Sequence, residues 1–443
     1  MSATGVAVRG KVASYREGRD LDENRGKDEL EKLLRQMLGD GATEADIARI
    51  AGLWQNPGSL GQMFSQFQTM FSGTDEPVNW KLASGQAEEL AKKDQKSADA
   101  VARELQPAFE MAQLWLHEGT EFSTSAELKV LSRTAWVQDA MTLYRELSEP
   151  VANSMSRALS ENLDKLMPEE LSQMLGPAKS FISNAGASIF AMQLGQAVGK
   201  LSGQTLMGSE IGIPISGRPS LVAQNIANLI DQLSTPKSEV LIYLATRELA
   251  LASLYASNKW LSDQIVTQVR EFAAGLRVDV EQIQNLAESL DPTDQESINQ
   301  LMQAGSLVTH RTDEQEAALA RIELMLALIE GWADFVTELA CKRLPSLAAI
   351  SELFARHRAT SGALEKTFET LLGLELQPKL RREAKAMWSS IDITLGAKKR
   401  DSLWSHPDQL PSEVEIRNPE QLIARLGSDG DDFDAQLRKL LDG

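Results

Sequence analysis

Apolar residues recur at helical spacing along most of this chain. Leu30, Leu33, Leu34 and Met37 mark a short helix, and residues 44–72 are amphipathic around the break Asn56-Pro57-Gly58. The Ser72-Gly73-Thr74-Asp75-Glu76-Pro77 stretch reads as a linker, and from Trp80 to Trp404 one helical pattern follows another. Longer breaks fall at 205–219, rich in Gly and Pro, and at 290–294. No hairpin signal and no fixed-period repeat occurs. The pattern predicts an all-α fold, a multi-helix bundle in a single large domain with flexible termini. Four segments follow from it: a disordered stretch 1–26, a short helical region and linker 27–74, a helical domain 75–412, and an acidic tail 413–443 ending in an amphipathic piece with Phe433, Leu437, Leu440 and Leu441.

Two helices hold charges among apolar neighbours. The first begins at Thr235-Pro236, read as an N-cap with proline at the first helical position. Along it Glu248 shares a stripe with Leu241, Leu244, Leu251 and Tyr255, and Arg247 shares the next stripe with Val240, Tyr243, Ala250 and Leu254. A helix apolar nearly all round is a buried one, so Arg247 and Glu248 need partners inside the protein. The second helix opens with a capping box, Thr312 to Gln315, and runs to about Cys341, roughly 45 Å at the usual rise. Its centre, Leu324 to Ile329, is continuously apolar. Glu330 and Asp334 follow on one face, with Glu323 two turns earlier.

Composition sharpens this picture. The 443 residues are 42% hydrophobic and only 5% aromatic, with helix formers abundant and β-branched runs rare. The formal charge of −18, from 63 acidic and 45 basic residues, repels phosphates and anionic lipid, so neither nucleic acid nor membrane is an expected partner. The uncharged stretch from Ser180 to Gly199 carries Ser183, Asn184, Gln193 and Gln196, too polar for a lone membrane span. Gly195, Gly199 and Gly203, four apart, predict a close helix–helix crossing instead. The N-terminus has no apolar leader, and the single Cys341 excludes an internal disulfide, which fits a reducing, cytoplasmic setting. The short basic cluster Lys379, Arg381 and Arg382 reads as a solvated face pairing with acids. No Gly-x-Ser-x-Gly elbow, P-loop or calcium loop is present.

These helices carry a resemblance. The chain resembles the bacterial zincin-like metallopeptidase type 2 family, whose hallmark is a His-Glu-x-x-His helix or a variant of it, then a short aromatic-Leu segment, and a later helix with Glu-Gly-Trp-x-Asp. The corresponding stretches are Arg247-Glu248-Leu249-Ala250-Leu251, then Trp260-Leu261, and Glu330-Gly331-Trp332-Ala333-Asp334. Supporting matches are Pro77-Val78-Asn79-Trp80, Leu114-Trp115-Leu116, Glu149-Pro150-Val151, Gly195-Gln196-Ala197, Ile211-Gly212-Ile213-Pro214, Thr367-Phe368, Gly373-Leu374-Glu375-Leu376 and His406-Pro407-Asp408. The resemblance spans about residues 75–412. It implies a zincin-like helical fold and a zinc-dependent hydrolase or peptidase in which two histidines and a later acid hold the metal and the glutamate activates water.

On that resemblance Glu248 is the general-base position, Glu330 the third-ligand position, and Asp334 a group supporting that ligand. Arg247 and Leu251 stand where the histidines belong. Leucine cannot donate to a metal, and the four histidines, His117, His310, His357 and His406, match no ligand spacing. Zinc belongs to the family, and this chain is expected to hold none. Two readings of Arg247 stand side by side: it takes the place of the metal's positive charge and pairs with Glu248, Glu330 or Asp334, or it belongs to a buried ion-pair network with no function of its own. Two readings stay open: a metallohydrolase with an altered site, or a catalytically inactive relative that binds a peptide or protein as a scaffold.

Overall fold

The computed structural model describes residues 76–93, 98–166, 176–231, 233, 235–275, 312–361 and 380–427. The chain divides into two units, Met1–Ser72 and Gly73–Gly443, and every described residue lies in the second. The segments expected at 1–26 and 27–74, the break at 290–294, the Thr367-Phe368 and Gly373–Leu376 pieces, His310, Lys379 and the amphipathic end at Phe433–Leu441 lie outside the described residues.

Helices dominate. In chain order they are α1 (Trp80–Ala91), α2 (Asp99–Leu116), α3 (Arg133–Leu166), α4 (Gly176–Ser202), α5 (Ala223–Ile230), α6 (Lys237–Ser257), α7 (Trp260–Ala274), α8 (Asp313–Ala340), α9 (Leu347–Ser361), α10 (Arg381–Ser402) and α11 (Glu413–Arg417), with a last helical stretch at 419–427. Two three-residue strands, β1 (Lys129–Leu131) and β2 (Ser220–Val222), pair in parallel with Val130 opposite Leu221. Ile416, Leu422 and Leu426 are buried, so the packed body continues past residue 412.

Small residues set a close helix contact between α1 and α4. The buried face of α1 is the stripe Ala83, Ala87 and Ala91, and α4 lays Gly195 and Gly199 on it. A methyl group at Gly195 would come within 2.6 Å of the Ala83 carbonyl, and one at Gly199 within 2.7 Å of Leu90 Cβ. Those two glycines make the crossing that their spacing predicts. Gly203 does not, since a methyl there would meet only its own helix.

Helix α6 is buried on every side, from Val240 through Tyr255. It is long and apolar enough to cross a membrane, but most of it is covered by the protein's own helices, as in a core element. It begins one residue later than its sequence suggests. Pro236 is the N-cap, in extended backbone at φ −56° and ψ 124°, and no side chain caps the helix. Proline fixes φ but leaves ψ free, so it can stand just outside the first turn as well as in it. Helix α8 begins as its sequence predicts. The Thr312 side chain accepts from the Gln315 backbone, the Gln315 side chain accepts in return, and the helix ends with Cys341 as its C-cap. Helix α8 packs against α6, α7 and α10, and α9 lies on α6. Together α6, α8, α9 and the start of α10 frame the region of interest.

Candidate functional site

Arg247 and Glu248 are neighbours in sequence but point about 100° apart around α6, so they meet different surroundings. Glu248 faces the 203–219 loop between α4 and β2. That loop is buried without interruption from Thr205 to Ile213, unusual for a connecting segment. Backbone bonds pin it to β2: Gly208 N–H donates to Ser220 O at 2.8 Å, and Val222 N–H to Leu206 O at 2.9 Å. Three donors then converge on the Glu248 carboxylate. Ser209 donates through its backbone N–H at 3.1 Å and also through its hydroxyl, and the Ser220 N–H donates at 2.8 Å. Gly208 lets the loop come this close, since a methyl there would fall 2.1 Å from Ser220 Oγ and 3.1 Å from Glu248 Oε1. Burial pushes the Glu248 carboxyl up to about 7, although the Ser209 and Ser220 bonds and the Arg247 charge all favour its ionised form.

Arg247 faces α8. Its Nη2 lies 2.5 Å from Glu330 Oε2 and its Nε 3.2 Å from Asp334 Oδ1, while Nη1 approaches the Met207 sulfur at 3.7 Å. A second guanidinium, Arg358 of α9, also bonds Glu330 Oε2, and its Nη1 lies 3.7 Å from Asp334 Oδ1. Arg381, at the first turn of α10, reaches Asp334 Oδ2 at 3.6 Å. The Phe354 ring underlies both Arg247 and Arg358, with centroid distances of 5.0 and 5.7 Å. Arg247 and Glu330 are almost wholly buried, and Asp334 opens slightly to solvent. Burial opposes charge on Arg247, but Glu330 and Asp334 outweigh it and hold the guanidinium protonated more firmly than usual. Burial likewise opposes the Asp334 carboxylate, and Arg247, Arg358, Arg381 and Lys385 together hold it below the ordinary range.

Arg247, Glu330 and Asp334 therefore come together, and Glu248 turns away from them. Leu251 is fully buried on the Glu248 stripe. Glu323 is only half-buried. The described histidines lie elsewhere: His117 at the exposed end of α2, His357 against the Gln204 carbonyl, and His406 capping the turn at Asp408. Sequence reasoning did not name Ser209, Ser220 or Arg358, and placed Gly208 only in the Gly- and Pro-rich break at 205–219. A buried Glu248 demanded donors, yet nothing in local spacing says which ones.

The donor set does not fit the zinc that the resemblance implies. A guanidinium occupies the first ligand position and shares Glu330 Oε2 with Arg358, an aliphatic side chain occupies the second, and the Glu248 carboxylate is bonded on both oxygens to the protein. Among the described residues no group of three or more His, Cys, Asp or Glu side chains is arranged to hold a metal ion.

Comparison with known proteins agrees with the frame. The family model described as zincin-like metallopeptidase matches residues 78–423. No curated protein matches the chain. A crystal structure from Chloroflexus aurantiacus, described as a proposed hydrolase with a novel fold, superposes with a TM-score of 0.56 at 18% identity, covering 79% of this chain and 99% of its own. At that identity the likeness speaks to the fold alone.

Proposed function

We propose, from the premise that this chain belongs to the zincin-like metallopeptidase family, that it keeps the family's helical frame and works by binding a peptide or protein, without zinc hydrolysis. One observation carries the reading: at the first ligand position stands Arg247, buried and paired with Glu330 at 2.5 Å. A fixed positive charge there repels a divalent ion and occupies the carboxylate that would otherwise bind it. Leu251 supplies no lone pair in compensation. At the base position, Glu248 is 1% exposed and its oxygens already accept from Ser209 and Ser220. The charge of −18 makes phosphate and anionic lipid poor ligands and leaves a protein or peptide as the favoured partner class. A reducing, cytoplasmic setting goes with the lone, buried Cys341.

A second reading, retained hydrolysis, draws on one feature: a Glu248 carboxyl near 7 is in the range of a general base. Elemental analysis of purified protein, with a peptidase assay in the presence and absence of chelator, separates the two. The binding reading expects zinc well below one per chain and no chelator-sensitive turnover. Stoichiometric zinc, with turnover abolished both by chelator and by Glu248→Gln, would establish the hydrolase instead.

A further inference from the structure

We infer that Arg247 and Arg358 act as one unit in place of a divalent cation, tying α6 and α9 to the carboxylates of α8. The inference rests on the reading above and extends it to a residue, Arg358, that neither the motif nor the family resemblance singles out. Two guanidiniums from two helices meet at a single oxygen, Glu330 Oε2. Together they bring two fixed positive charges, the charge of one divalent ion, to the third-ligand position. Asp334, one turn along α8, lies 3.2 Å from Arg247 Nε and 3.7 Å from Arg358 Nη1, so both arginines address both acids.

A metal ion joins side chains from separate elements through one centre. Planar guanidiniums do the same through forked donors, and each can serve two carboxylates at once. Like charges this close repel, so the arrangement needs something between them. Glu330 supplies the counter-charge, and the Phe354 ring lies against both guanidiniums. Both arginines are more than nine-tenths buried, so water screens neither. One coordinating oxygen stays in reserve: Glu330 Oε1 is buried with no hydrogen-bond partner among the described residues, and it lies against Gly212, where a methyl would fall 3.0 Å away.

The inference predicts that a divalent ion can substitute for the arginines once they are removed. Thermal unfolding of wild type, Arg247→Met, Arg358→Met and the double variant would be compared with and without manganese(II) or zinc(II) at neutral pH. Each variant should melt below wild type. The double variant should then recover at least about 2–4 °C with the added ion, while wild type should not shift. If the double methionine variant does not fold, the double variant Arg247→Gln with Arg358→Gln, which keeps polar side chains but removes both charges, serves with the same recovery expected. Variants that lose stability without recovery with either ion would reduce the arginines to an ordinary buried pair and overturn the inference. So would a wild type that gains as much as the variants. Lack of recovery alongside a zinc-free, proteolytically silent wild type sinks this inference alone and leaves the binding reading standing.

Discussion

Folding alters the ionisation of Glu248 within the accessible pH range. Its carboxyl stands at about 7 in the folded protein against an ordinary value of 4.5, because burial penalises the charged form. The folded state therefore holds this proton more tightly than the unfolded state does. Stability from this group is intact below 4.5, declines as pH rises, and is gone above about 7, an effect on the order of 3 kcal/mol. Asp334 has the opposite sign. Its arginine neighbours hold it below 3.8, so its contribution is lost only as pH falls through that depressed value. The two windows do not overlap. Melting curves of wild type and Glu248→Gln from pH 4.5 to 8 should thus converge or cross, with wild type losing ground steadily and the glutamine variant nearly flat. Parallel curves would mean that Glu248 titrates alike in both states.

At the scale of elements, the α8–α10 contact depends on Gly331, the residue after Glu330. A methyl group there would fall 2.8 Å from both Ala384 Cβ and the Lys385 backbone nitrogen, so Gly331→Ala must push α10 outward. The expected cost is about 1–3 kcal/mol, read as a lower denaturant midpoint at unchanged slope. An unchanged midpoint would show that the two helices have room to give. Much of this packing was legible beforehand. The capping box at Thr312 and the stop near Cys341 bracket α8 because both are local, one-turn signals. Gly195 and Gly199 mark their crossing because small residues four apart have few other uses. The burial of Arg247 follows from an apolar helix on all sides. Other features left no local trace. Arg358 reaches Glu330 from α9, with α8's end and a turn between them in sequence, and no periodicity encodes that meeting. Strands of three residues are too short to show alternation, so β1 and β2, and with them the Ser220 N–H that bonds Glu248, were invisible to pattern reading.

Across the whole molecule, α8 serves two buried ion-pair networks on different faces. Glu330 and Asp334 turn toward Arg247 and Arg358, while Trp332 and Phe335 turn toward Arg400 and Asp401 at the end of α10. Asp401 accepts four hydrogen bonds: from Trp332 Nε1 at 3.0 Å, Arg400 Nε at 2.8 Å, Thr120 Oγ1 at 2.6 Å and the Glu121 N–H at 3.0 Å. Arg400 continues to Asp392 and to the Gly119 carbonyl, both at 2.7 Å. Residues 281 apart in sequence are thereby joined through one carboxylate, beside the stacked Trp388 and Trp404. Because these groups are buried and bonded on every side, the network should act as a joint between early and late parts of the chain. Replacing Asp401 with Ala would strand Arg400 with only Asp392 as counter-charge, leave the Trp332 and Glu121 N–H groups without this acceptor, and leave the Thr120 hydroxyl, which still accepts from the Phe122 N–H, with no acceptor for its own proton, at an expected cost of about 3–5 kcal/mol. Trp332, Trp388 and Trp404, three of the eight tryptophans, would give the joint a share of the fluorescence signal, and far-ultraviolet circular dichroism would report the helices as a whole. In wild type the two transitions should coincide, whereas in Asp401→Ala the fluorescence transition should come first, the mark of a joint opening before the body unfolds. Coincident transitions shifted by less than about 1 kcal/mol would show that the packing of Trp332, Trp388 and Trp404 holds these elements together without the carboxylate.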